Sequence, residues 1–455
     1  MSYRGISLWF DTLPEAIEPR APLAGDADFD VAIVGAGYSG LWTAYYLARL
    51  RPELRIGILE AEVAGFGASG RNGGWCLGLL AGVEALLGRS ERRAEGIALQ
   101  RELFAAVDEV GHVAASEGID CHYRKGGSLR VAVTPAQERE LRERARVLGA
   151  LFSRDDFQWL EPHECAARVR LRGGRGGVYT PHCAAIQPAR LARGLAACVE
   201  RLGVRILERS PVQRLEPGSA RTARGAVRAP LIVRATEAYT AELRGQRRAL
   251  LPLHSWMVAT EPLPEPVWKE IGLANAETFG DGRRVTTYGQ RTADGRLAFG
   301  GLATYRFGSR IARHFPASDP HFAELEGVLH ELLPALRGVP ITHRWGGVLA
   351  VPRDWRPRVG IDRARGQAWI GGYVGEGVAA SNLAGRTLAE LIAGADSQRT
   401  RLPLVGPPAR PWEPEPLRSL AVQSALGLAA AEDRASAEGK SSTWRTRLFG
   451  SIAGQ

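Results

Sequence analysis

Residues 30–60 read DVAIVGAGYSGLWTAYYLARLRPELRIGILE. They divide into an apolar run (Val31, Ala32, Ile33, Val34), a turn with glycines at 35, 37 and 40, a periodic apolar segment, and a second apolar run (Ile56, Gly57, Ile58, Leu59) closed by Glu60. This pattern predicts strand, turn, helix, strand. Gly35 permits the tight turn, Gly37 lets the backbone approach a pyrophosphate with no Cβ in the way, and Gly40 allows the helix to pack closely on the strand. Tyr38 and Ser39 open the helix, whose free N–H groups and positive end suit phosphate. Glu60, followed by Ala61, would accept hydrogen bonds from ribose hydroxyls and repel the extra phosphate of NADP. The unit predicts an α/β, Rossmann-like dinucleotide site, and it serves FAD and NAD alike.

Two further stretches bear on that choice. Directly after the second strand, residues 65–75 read GFGASGRNGGW. So permissive a backbone can turn its N–H groups toward an anion or a polar ring edge. The plain alternative is a mobile linker, but Arg71 and Asn72 supply donors that Ser/Gly linkers lack. Near the other end, Ala368-Trp369-Ile370 feeds Gly371-Gly372-Tyr373-Val374-Gly375-Glu376-Gly377-Val378, and helical spacing follows over 379–393. That helix start offers N–H groups suited to the O2 and N1 edge of an isoalloxazine, which becomes anionic on reduction. A flavin needs two helix starts, one for phosphates and one for the ring. A nicotinamide needs only the first.

These residues resemble the FAD-dependent amine and amino-acid oxidoreductases of the D-amino-acid oxidase, glycine oxidase and sarcosine oxidase family. The segment Ala68-Ser69-Gly70-Arg71-Asn72-Gly73-Gly74 is similar to that of the gamma-glutamylputrescine oxidoreductase branch. So are Ile186-Gln187-Pro188, Thr260-Glu261-Pro262-Leu263, Arg344-Trp345-Gly346-Gly347 and Ser381-Asn382-Leu383-Ala384-Gly385-Arg386. The resemblance spans about residues 28–395 and implies an α+β whole: a discontinuous FAD-binding domain (28–85, 178–245, 344–400) with an inserted antiparallel-sheet substrate domain (86–177, 246–343). An arm (1–27) and a tail with a helix over 417–435 (401–455) flank them. It further implies that Gly67 joins the flavin loop, that Val212 lies beside the adenine, and that Ala235 and Thr236 lie near the pyrophosphate.

The implied reaction removes a hydride equivalent from the carbon beside an amine or amino-acid nitrogen, with flavin N5 as acceptor. The resulting imine hydrolyses to a carbonyl. A polyamine-like derivative is the expected substrate, and O2 or another acceptor takes the electrons. Trp75, Trp256, Tyr288 and Trp345 are candidate walls, each equally readable as a core aromatic. Arg344 is the candidate for an anionic substrate group, or else a structural ion pair. His254 and His343 receive no role. An NAD-linked dehydrogenase would leave both later glycine turns without a purpose; a non-catalytic FAD-binding protein stays open because the catalytic apparatus is sparse.

Composition narrows the setting. The 455 residues carry 59 Lys+Arg against 49 Asp+Glu, a net charge of +10, yet only Lys125, Lys269 and Lys440 are lysines. The arginines interleave with glutamates as solvated helix faces do, so nucleic-acid binding is not expected. Five cysteines without a C-x-x-C pair predict no metal site and a reducing, cytoplasmic compartment. None follows Cys198, so FAD is expected to be noncovalent, with Cys76 beside the glycine loop as the residual candidate for attachment. No segment has the length of a membrane span.

Overall fold

The strand Val31–Val34 lies inside a six-stranded sheet in the order Arg358–Asp362, Gln367–Gly371, Leu231–Arg234, Val31–Val34, Ile56–Leu59, Arg205–Leu207. Every pairing is parallel except that of Arg358–Asp362 with Gln367–Gly371. Val31–Val34 and Ile56–Leu59 are buried throughout, as continuous apolar runs covered on both faces should be. The helix Tyr38–Leu50 follows Val31–Val34, and the helix Gly377–Ala393 follows Gln367–Gly371. The two helices cross in contact: a Cβ on Gly385 would stand 2.6 Å from that of Trp42, and Asn382 Nδ2 donates to Tyr46 Oη at 2.9 Å. The computed structural model describes residues 3–439. Met1 and Ser2 of the expected arm, and 440–455 of the expected tail, lie outside the described residues.

A second sheet has eight strands in the order Ile341–Val351, Leu251–Thr260, Leu297–Tyr305, Tyr288–Arg291, Thr278–Asp281, Ser128–Val131, Gly177–Thr180, Gln158–Leu160. Its pairings are antiparallel except that of Thr278–Asp281 with Ser128–Val131, where the two insertions meet. The boundary expected at 177/178 falls inside Gly177–Thr180, and that at 343/344 inside Ile341–Val351; both strands pair wholly within this sheet. The sheet is one hydrogen-bonded ladder, so its edge strand carries residues 344–351 into it rather than into the nucleotide domain. A four-stranded sheet (Ala27–Asp28, Gly225–Arg228, Ser219–Thr222, Val212–Glu216) lies beside the nucleotide domain.

Strand parity decides what faces the nucleotide domain. Leu251, Leu253, Ser255 and Met257 share one face, while Trp256 and Val258 take the other, against the buried Phe322, Leu325 and Leu329 of the helix Pro320–Leu332. The arm and tail both dock on the body. The short helix Leu8–Asp11 buries Leu8, Trp9 and Phe10 behind the glycine loop, and a helix at Leu417–Ala437 matches the one expected over 417–435.

Candidate active site

At the phosphate end, Gly35 has φ +109°, and a Cβ there would stand 2.5 Å from the Ala235 carbonyl oxygen. Ala235 and Thr236 therefore close one side of the first turn. A Cβ on Gly40 would strike the Gly35 carbonyl, whereas one on Gly37 would meet only Ser69 Oγ, at 3.0 Å. Gly37 caps the helix without a side-chain hydrogen bond, so first-turn N–H groups stay available; that of Tyr38 donates to Ser69 Oγ at 2.9 Å. Glu60 accepts from the N–H groups of Ala36 (2.8 Å) and Glu62 (3.0 Å). Burial outweighs these two bonds and lifts its carboxyl to about 7. Ala61 follows it in the loop, and Val212 opens the edge strand of the four-stranded sheet.

The glycine loop is held from behind. Ser7 Oγ donates to the Gly70 carbonyl (2.8 Å), Trp345 Nε1 to that of Arg71 (2.9 Å) and Trp9 Nε1 to that of Asn72 (2.7 Å). Asn72 spends its own donors inside the loop, on the carbonyls of Ala68 and Ser69. Arg71 is 3% exposed; it donates to the carbonyls of Phe66, Arg313 and Gly346, and its Nη2 is buried with no partner among the described residues. Gly67 packs on the Tyr239 ring, Gly73 on the Tyr288 ring, and Gly74 has φ +73°.

The second turn holds Gly371, Gly372, Val374 and Gly375 at positive φ (136°, 82°, 57° and 95°). For the β-branched Val374 this is a strained conformation, of a kind that clusters at functional sites. The N–H groups of Gly372 and Tyr373 donate to Glu237 Oε1, and that of Val374 to the Ala350 carbonyl of the substrate sheet. Burial lifts Glu237 to about 7, and its Oε2 has no partner among the described residues. Tyr373 Oη and Ser39 Oγ share a hydrogen bond of 2.9 Å. The start of the first helix is thus joined directly to the second turn.

Between the glycine loop, the second turn and the eight-stranded sheet lies a cavity of about 620 Å³, within the range that encloses small ligands. Ala68, Arg71, Asn72, Gly73 and Trp75 line it from the loop, and Val374, Gly375, Glu376 and Val378 from the second turn and its helix. The substrate sheet gives Leu251, Leu253, Ser255, Met257, Tyr288, Gly347 and Leu349. Tyr288 Oη bonds Ser255 Oγ at 3.1 Å, and its ring meets Trp75 edge-on with centroids 6.2 Å apart. The charges are Glu376 and four arginines, Arg71, Arg130, Arg284 and Arg353. Arg353 is paired with Glu413 and Arg284 with Glu140, whereas Arg130 reaches the Asp281 carbonyl. Burial raises the Glu376 carboxyl and lowers the Arg130 and Arg71 guanidiniums.

Three of the five expected substrate-side residues take other positions. Trp256, 1% exposed, stands on the far face of its strand, stacked on His321 at 4.1 Å and edge-on to Phe315. Arg344 pairs with Val258 in the ladder, faces the same way, and donates Nε to Glu326 at 2.7 Å. Trp345 lies on the near face but under the arm, edge-on to Trp9, where it supports the loop. Of the residues not expected, Arg130 sits between the buried Leu129 and Val131, and that alternation is a readable cue; Arg284, Arg353 and the tail had none. Cys76 alternates with Trp75 and Leu77 and points into the core, where burial pushes its thiol well up.

The residues fit FAD: a helix start at Gly37 with no side-chain cap of its own, a second such start beside the glycine-rich turn, and the unpaired buried Nη2 of Arg71 at the cavity. Comparison with known proteins agrees. Residues 30–391 match the family model DAO, FAD dependent oxidoreductase, and the chain belongs to that family, whose cofactor is FAD. Gamma-glutamylputrescine oxidoreductase of Escherichia coli (strain K12) is 30% identical over 398 residues, 86% of this chain and 87% of that one. A probable oxidoreductase, OrdL, of Haemophilus influenzae is 28% identical over 405 residues, 86% of this chain and 89% of its own. Glycine oxidase from Geobacillus kaustophilus superposes with a TM-score of 0.69 at 20% identity, covering 82% of this chain and 96% of that one. Among the described residues no cluster of His, Cys, Asp or Glu could hold a metal, and no helix is long and apolar enough to cross a membrane.

Proposed function

We propose that this chain oxidises the C–N bond of an amine or amino acid to an imine, and that its substrate is a polyamine derivative bearing a carboxylate. Bound noncovalently, FAD supplies a two-electron acceptor. The observation that carries the reading is the cavity itself: the glycine loop, the turn at 374–378, the substrate sheet and the tail helix enclose one space whose walls are apolar and aromatic and whose charges are four guanidiniums and one carboxylate.

The chain's own residues do the rest. Gly35, Gly37, Tyr38, Ser39 and Gly40 form the phosphate cradle, and Glu60 faces the ribose. The loop 67–74 and the turn 372–378 hold the ring. Trp75 and Tyr288 make an aromatic corner that fixes the substrate carbon, and the Ser255 hydroxyl fixes Tyr288. Arg71 and Arg130 raise the local positive potential, which favours the neutral amine that can give up a hydride and attracts a carboxylate at the other end of the molecule. Glu376 offers the counter-charge for an arriving ammonium. The 30% identical relative, named for gamma-glutamylputrescine, supports this substrate class. Cys76 in the core supports noncovalent FAD, and five free, buried cysteines support a reducing, cytoplasmic setting. O2 or another oxidant reoxidises the flavin.

The test is a turnover screen of polyamines, their gamma-glutamyl derivatives, amino acids and aminophosphonates, read both as hydrogen peroxide and as dye reduction. Turnover of an acylated polyamine above its free parent is expected. Preference for short amino acids would overturn the substrate class, and dye reduction without peroxide would exclude O2.

A further inference from the structure

We propose that the C-terminal helix Leu417–Ala437, outside the matched segment 30–391, is a wall of the substrate cavity and a determinant of specificity. This rests on reading the cavity as the place where the amine binds. Ala421, Val422, Ala425, Leu426 and Ala429 all line it, and their spacing puts them on one helix face. Leu420, on the opposite face, is 62% exposed.

The helix is fastened at three places. At its start, Glu415 accepts from Tyr305 Oη (2.6 Å) and the Gly308 N–H (3.0 Å) and pairs with Arg418, itself 2% exposed. In the middle, Gln423 Nε2 donates to the Tyr305 carbonyl at 3.1 Å. Near its end, Asp433 accepts from the N–H groups of Arg284 (2.7 Å) and Val285 (3.0 Å), and Ser436 Oγ bonds Thr134 Oγ1 at 2.9 Å. Arg284 and Val285 line the same cavity, so the helix supplies one wall and fixes another. A wall of alanine, valine and leucine accommodates the hydrocarbon stem of a substrate rather than its polar ends. Asp433 is a positioning residue, acting through the loop it holds.

The experiment compares the holoenzyme with Ala425→Phe, Leu426→Ala and Asp433→Ala on a series of gamma-glutamyl diamines of increasing chain length. Leu420→Gln, on the exposed face, is the control. Ala425→Phe should keep the flavin spectrum and lower kcat/KM for the longest member about tenfold relative to the shortest. Leu426→Ala should shift preference the opposite way, which keeps the proposal testable if the larger side chain prevents folding. Asp433→Ala should raise KM more than it lowers kcat, without loss of flavin. An unchanged order of preference in both wall variants, with wild-type turnover intact, would overturn the wall and leave the amine-oxidation reading standing. A wild-type enzyme that oxidises no amine in any series would overturn that reading and the wall with it.

Discussion

Residues at the two turns carry the strongest expectations. A Cβ on Gly37 would meet Ser69 Oγ at 3.0 Å and otherwise stand in open space, the space proposed for the pyrophosphate. Gly37→Val should therefore yield protein with little or no flavin, read as the ratio of visible to ultraviolet absorbance; a fully loaded variant would remove the phosphate assignment. Arg344 gives the opposite expectation. Its guanidinium is engaged by Glu326 on the far face of the sheet, and both side chains are partly solvated, at 30% and 20%. Arg344→Ala should cost about 1 kcal/mol of stability and leave KM for every substrate unchanged. A raised KM for acidic substrates would return it to the site. The sequence alone leaves Arg344 between a carboxylate clamp and a structural ion pair, because arginine chemistry suits both. What decides the matter is a partner 18 positions away on another element, which no local pattern announces.

Helices and strands explain which parts were legible. Both glycine turns could be read because strand, turn and helix are contiguous and each glycine answers a local steric demand. The substrate wall could not. Trp256 and Met257 differ by one position, and only the ladder with Ile341–Val351 settles that Met257 faces the cavity and Trp256 the helix behind. The hydrogen bond between Ser39 and Tyr373 is likewise invisible along the chain, since it spans 334 positions. It should hold the first helix start and the second turn in register. Tyr373→Phe would lose about 1 kcal/mol, seen as a roughly fivefold rise in the Kd for FAD; an unchanged Kd would mean that the helix crossing at Gly385 suffices. On the strand Leu251–Thr260, His254 is buried with Nε2 accepting from the Ala312 N–H, and burial holds its pKa down at about 4. The folded protein thus keeps the ring neutral while the unfolded chain protonates near the ordinary value of 6.5. Stability from this residue is complete above pH 6.5 and is lost as pH falls toward 4. His254→Gln should flatten Tm against pH across that window. An equally steep profile would place the acid sensitivity elsewhere.

At the scale of the whole molecule, the parts outside the nucleotide motif close the site. The arm supplies Ser7 and Trp9 behind the glycine loop, and the substrate sheet and the tail helix enclose the space in front of it. Spacing predicts the tail helix and single strands, and the resemblance implies one sheet, but their convergence is tertiary: the tail reaches the cavity through Glu415, Gln423 and Asp433, each bonded to a distant part of the chain. On this reading the enclosure brings an amine to bound FAD for oxidation. Anaerobic titration of the purified holoenzyme with gamma-glutamyl polyamines, followed by the visible flavin absorbance, tests it most directly. Substrate should bleach the flavin bands stoichiometrically, with colour returning when an acceptor is admitted. A yellow protein that dithionite bleaches and no amine or amino acid does would contradict it.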